Sequence, residues 1–158
     1  MKILISPFAA KLPTGNRNPK NWPYFAEMVQ LLNREGSEVI QIGVKGEDRI
    51  EGVGQFIVGW PLRKLRELEW NSYVSVDNFW PHYCHQERLK GGIVVWGQSD
   101  PQVFGYPENI NLIKSRSYLR PLQFAHWFDV QYNPDVFVTP DVVMDALHGR
   151  FATTAVGA

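Results

Sequence analysis

The chain has 158 residues, 44% of them apolar and 20% charged, which is enough for one domain with a real core and excludes a disordered chain. Sixteen basic and sixteen acidic residues cancel to zero formal charge, so the basic excess of a nucleic-acid binder is missing and no nucleic-acid partner is expected. Cys84 is the single cysteine, no intramolecular disulfide can form, and no apolar run is long enough for a signal-peptide core or a membrane span; the cytoplasm is the expected location.

In chain order, the apolar run over residues 2–6 reads as a buried first strand, and a small, polar loop follows from Lys11 to Lys20. Asn21-Trp22-Pro23 is expected to open a helix, with Asn21 or a neighbour as cap and Pro23 in the first turn. Phe25, Met28, Val29 and Leu32 fall at i, i+3, i+4 and i+7 and define its buried face, and Gly36 ends it in a left-handed turn. Residues 38–42 form a second strand, 43–51 a turn-rich segment, and 55–58 a short third strand. A second helix is expected to start at Pro61, with Leu62, Leu65 and Leu68 on its inner side and Arg63, Lys64 and Arg66 on a solvated face.

Residues 72–76, 92–95 and 111–113 read as strands four to six, with 79–89 helical between the fourth and fifth. Thr139-Pro140-Asp141 has the cap, first-turn proline and dipole-favourable carboxylate of a last helix, whose apolar side is Val142, Val143, Ala146 and Leu147 and which Gly149 closes. The tail 151–158 is expected to fray, leaving 1–150 as the domain. Strand and helix alternate at βα spacing, so the expected fold is α/β: one Rossmann-like domain, a parallel sheet with helices on both faces.

Ligands of open parallel sheets sit at the carboxyl ends of the strands, which directs attention to the loops after strands one, two and four. In the last of these a buried strand runs into Asp77-Asn78-Phe79-Trp80-Pro81-His82 and directly into a helix. Helix-end amides, the dipole and His82 suit a diphosphate; equally, Asp77 can be a cap and His82 a packing residue. Aromatic residues make up 13% of the chain, consistent with packing under long loops or with a pocket for a flat ring. His126-Trp127 is open to both readings, and Lys114, Arg116 and Arg120 either face solvent or a phosphate. Cys84 reads as a buried apolar group and His85 as a helix-surface residue. No Asp-x-Asp pair or His/Cys cluster suggests a metal, and no cofactor is expected.

Asp77-Asn78-Phe79-Trp80-Pro81-His82 resembles the Asp-(Thr/Ser/Asn)-x-x-x-His signature of the heptosyltransferase-like glycosyltransferases of family nine. Other segments resemble that family in the same order: Asn18-Pro19-Lys20-Asn21-Trp22-Pro23 its Lys-x-Trp-Pro helix opening, and Gln41-Ile42-Gly43 with Gly46-Glu47 its second strand and acidic turn. Leu62-Arg63-Lys64-Leu65 is similar to the helix before the signature, and Val95-Trp96-Gly97-Gln98-Ser99-Asp100-Pro101 to its glycine-x-threonine/serine-Asp-Pro loop. The match covers residues 1–115 and the last helix.

The resemblance implies the donor-binding C-terminal lobe of a two-lobed GT-B glycosyltransferase that needs no metal. It implies a nucleotide-diphosphate sugar as ligand, with a purine base expected. Ser6, Lys20, Glu47, Trp60, Asp77, Asn78, Phe79 and His82 are the implied binding residues: Lys20 at the diphosphate, Glu47 at the ribose, Trp60 near the base, and Asp77, Asn78, Phe79 and His82 around sugar and phosphates. Asn78, Phe79 and Trp80 stand where the family has small residues, which leaves the sugar open. The chain starts at the first strand of that lobe, so the acceptor lobe and its catalytic carboxylate are expected to be missing and no catalytic residue is assigned. Transfer would then need a second chain or a second copy; the alternative is a stand-alone module that binds or sequesters a sugar nucleotide without turnover.

Overall fold

A computed structural model describes the backbone of residues 1–157 and the side chains of residues 1–150. Six parallel strands form one sheet in the order β3-β2-β1-β4-β5-β6: β1 Lys2–Ser6, β2 Glu38–Gly43, β3 Gln55–Val58, β4 Ser72–Val76, β5 Ile93–Trp96 and β6 Ile110–Ile113. Among the described residues five α-helices accompany them: α1 Phe25–Arg34, α2 Leu62–Leu65, α3 Phe79–Gln86, α4 Pro101–Phe104 and α5 Pro140–Gly157. This is the expected α/β Rossmann-like domain.

Alternation along each strand splits the core into two layers. Ile3, Ile5, Val74 and Val76 face one side, where Phe25, Met28, Val29 and Leu32 of α1 and Val143 and Leu147 of α5 cover them. Leu4, Tyr73, Val94 and Trp96 face the other, under Leu65 of α2 and Trp80 and Cys84 of α3. β4 is buried along its whole length, as a central strand covered on both faces must be. Gly36, at φ +79°, turns the chain out of α1 while the Ser37 N–H reaches back to the Leu32 carbonyl at 3.0 Å.

Three local expectations are corrected. α1 begins at Phe25 with no side-chain cap, because Asn21 instead accepts the Ala9 N–H at 2.8 Å and shapes the preceding loop. α2 is a single turn in which Leu65 is buried but Leu62 is exposed, since Pro61 is the cap and the chain leaves the sheet surface at once. α5 runs through Gly149 to Gly157, so that glycine does not close it; a helix interior accepts glycine at a cost of about 1 kcal/mol. The fraying expected of the tail beyond Arg150 concerns side chains, and a last residue, outside the described ones.

From β1 the chain builds outward to β2 and β3, then crosses back to place β4 on the other side of β1 and builds outward again. The reversal leaves a crevice between the carboxyl ends of β1 and β4, where Ser6 pairs in register with Ser75.

Candidate functional site

Asn78 closes that crevice. It is the cap of α3, its Oδ1 accepting the Trp80 N–H at 3.0 Å, and the same oxygen accepts the Ser75 hydroxyl at 3.0 Å. Its Nδ2 donates across the sheet to the Ser6 carbonyl at 3.1 Å, the Ser6 hydroxyl at 2.9 Å and the Phe8 carbonyl at 3.1 Å. Asn78 and the buried Ser6 therefore hold the two strand ends together, and capping falls to Asn78 rather than Asp77.

Asp77 is thereby free to point at other partners. Its buried carboxylate meets Lys20 Nζ at 2.9 Å and His82 Nε2 at 3.6 Å. Burial pushes the carboxyl up, but His82 and Lys20 more than offset it and hold Asp77 below the ordinary carboxylate range. Lys20 is delivered by a loop that Asn18 folds: Asn18 Nδ2 donates to the Ala10 carbonyl at 2.8 Å and its Oδ1 accepts the Lys20 N–H at 3.0 Å. On its other side, His82 Nδ1 lies 2.6 Å from the Tyr106 hydroxyl, with donor and acceptor set by the imidazole tautomer. His85, one turn on, stacks on the Tyr106 ring at 3.9 Å and bonds Glu108 at 2.5 Å, so Tyr106 is gripped at both ring and hydroxyl. The helix itself adds few donors, since Pro81 has no N–H and Asn78 occupies that of Trp80. Positive charge here comes from side chains.

The cluster opens into a cleft of about 450 Å³ whose lining includes Lys20, Glu47, Asp77, Asn78, Phe79 and Trp127. Beyond the loop at 8–12, a second cleft of about 470 Å³ shares Glu47 and continues past Arg17, Gly46 and Asp48. Glu47 lies over Gly43 and accepts the Val44 N–H at 3.3 Å; burial raises its carboxyl above the ordinary range against the opposing Val44 N–H and Lys11 charge. Lys11 in turn ties its loop to the Gly46 carbonyl at 2.8 Å.

Of the residues singled out from sequence, Lys20, Glu47, Asp77, Asn78 and Phe79 share the first cleft and Ser6 supports it from below, whereas His82 touches Asp77 from outside that cleft and lines a separate hollow with His85 and Tyr106. Trp60 lines neither cleft; it lies under Lys64, whose Nζ is 4.0 Å from the ring centroid. Cys84 is buried and its thiol pushed up to about 12, which makes it unreactive. Arg116 makes a two-pronged bond to Asp100, both contacts 2.9 Å, and Lys114 donates to the Asp135 carbonyl at 2.7 Å. No group of His, Cys, Asp and Glu among the described residues is arranged to hold a metal, and no described helix is long and apolar enough to cross a membrane.

Sequence reasoning missed Tyr106, and it left the loop at 120–128 open between packing or solvent and the pocket; the structure puts His126 and Trp127 in the lining of the first cleft. Arg120 stacks on Trp127 with its guanidinium carbon 3.4 Å from the ring centroid, and it donates to the carbonyls of Gln123, Ala125 and His126. Gln123 accepts the Asp100 N–H at 2.8 Å and donates to the Gln98 carbonyl at 3.0 Å, pinning this loop to the turn after β5. Lys20 Nζ lies 5.5 Å from the Trp127 ring.

The solved structure of ADP-heptose lps heptosyltransferase II from E. coli superposes on this chain with a TM-score of 0.68 at 17% identity, covering 98% of this chain and 47% of that one. The fold is that of half a heptosyltransferase. This chain spans about half the length of the structure it matches. No protein-family model matches the sequence, and no curated protein does.

Proposed function

We propose that this chain binds a nucleotide-diphosphate sugar and serves as the donor-binding half of a metal-independent glycosyltransferase. The observation that carries the reading is the Lys20–Asp77–His82 cluster, set at the start of α3 in the crevice between β1 and β4. A Rossmann-like sheet binds its ligand in that crevice, with an acidic residue after β2 placed to accept from ribose hydroxyls. Glu47 occupies that position, and a diphosphate beside Lys20 would put its nucleoside over β2. Lys20 would then stabilise the charge that develops on a departing nucleoside diphosphate. The heptosyltransferase fold adds its weight to this assignment of ligand class.

Binding without turnover is the second reading, and the electrostatics of Asp77 favour it for the isolated chain. A carboxylate held below its ordinary range by two basic neighbours is a weak general base. Transfer would need an acceptor and a base opposite Asp77, from a second chain or a second copy. The deciding experiment is thermal denaturation against a panel of purine and pyrimidine nucleoside diphosphates and their sugars. A ligand at about 100 times its Kd adds about 2.7 kcal/mol to stability, a shift that is easily read. A melting curve that no member of the panel moves would remove the reading. With the best binder, nucleoside diphosphate release is then followed over a protein concentration series; rapid release by dilute monomer rejects binding without turnover.

A further inference from the structure

We propose that Trp127 is the platform on which the glycosyl ring of the bound nucleotide sugar rests, making the loop at 120–128 a determinant of which sugar is taken; this rests on the donor-binding reading above. The direction of the ligand follows from the sheet. Along the carboxyl edge, Glu47 follows β2, Asp77 and Asn78 follow β4, and the loop bearing Trp127 is tied to the turn after β5 by Gln123. A diphosphate beside Lys20 with its nucleoside toward Glu47 extends its other substituent toward Trp127, in the same cleft.

The chemistry suits that substituent. The C–H face of a sugar ring is weakly positive and apolar, and the indole face is flat, apolar and electron-rich. Asp77 lines the same cleft and supplies an acceptor for hydroxyl groups at the ring's edge. A pocket of this composition, mostly apolar with a few convergent polar groups, is the ordinary form of a small-molecule site. The platform is also built in advance. Arg120 stacks on the ring, and its guanidinium is held by three carbonyls of the same loop, so little ordering remains to be done when the ligand arrives.

The test is calorimetric titration of wild type, Trp127→Ala and Trp127→Leu with three matched pairs: ADP and ADP-glucose, UDP and UDP-glucose, GDP and GDP-mannose. Trp127→Leu keeps an apolar contact for Arg120 while removing the aromatic face, so a variant that folds is in hand even if the alanine variant does not; circular dichroism verifies this. For whichever pair wild type binds, both variants should bind the nucleoside diphosphate within about twofold of wild type and lose about three- to tenfold for the sugar nucleotide, the range of one aromatic contact. Equal loss for both members would put base or phosphate on Trp127, and no loss for either would leave it without a ligand; each overturns the proposal while leaving the donor-binding reading intact. If wild type binds neither member of any pair, the donor-binding reading falls first and this inference with it.

Discussion

Replacing Lys20 by Met leaves a buried carboxylate with only one basic neighbour, and the size of the effect can be worked from the pair. At 2.9 Å and an effective dielectric of about 20, the Lys20–Asp77 attraction is about 6 kcal/mol before desolvation. Dehydrating a lysine side chain that stays 23% exposed and a carboxylate only 8% exposed takes back most of this. The net coupling should then be about 2 kcal/mol, within the range for hydrogen bonds to charged groups. Its pH dependence has a definite sign. Asp77 is held below its unfolded value, so the stabilisation is fully present above a pH of about 4 and is lost as pH falls through the folded value. Urea denaturation of wild type, Lys20→Met, Asp77→Asn and the double variant closes the cycle at pH 7 and again near pH 3. Lys20→Met should also lower Tm by about 4–8 °C. A coupling under about 0.5 kcal/mol at pH 7, or one that does not shrink in acid, would refute the claim that this pair is the electrostatic centre of the site.

Asn78→Ala removes the cap of α3 and the ties to Ser6 and Phe8 together; unfolding should cost about 2–4 kcal/mol less than in wild type, and a denaturant midpoint within error of wild type would deny Asn78 its bridging role. Tyr106→Phe removes the hydroxyl partner of His82 Nδ1, so the tautomer balance of the imidazole should change, read by long-range proton–nitrogen correlation spectra. An unchanged tautomer pattern would mean that Asp77 alone orients His82.

The strands and the long helices were legible because their signals are local and repetitive. The spacing of Phe25, Met28, Val29 and Leu32 needs no tertiary knowledge, and it marks the face of α1 that is buried. Asp77 and His82 were legible as candidates because they lie where a strand end and a helix start coincide, and Lys20 only through its likeness to a Lys-x-Trp-Pro helix opening, 57 positions before Asp77. Tyr106 was not, because it comes from the short stretch between α4 and β6, whose place beside α3 is decided by the sheet order. Trp127 sits in a segment with no periodicity, shaped by the side-chain bonds of Arg120 and Gln123 and by isolated turns, none of which a sequence pattern announces. Trp60 shows the reverse case. It follows β3 at the same carboxyl edge, but β3 is at the far end of the sheet and Lys64 takes its ring.

The position of β4 beside β1 has a consequence for how the molecule comes into being. The contact between Asn78 and Ser6 joins residues 72 positions apart, and β1 is flanked on that side by nothing else. During synthesis the segment from β1 to β3 can pair within itself, but the second edge of β1 stays open until residues 72–76 have emerged. Such non-local pairing is slow, and an open apolar strand edge invites other chains while it waits. The Asp77 and Asn78 side of the cleft therefore waits for β4 to dock and Asn78 to reach across, and a chain stalled before that step presents an open strand edge beside a half-built site.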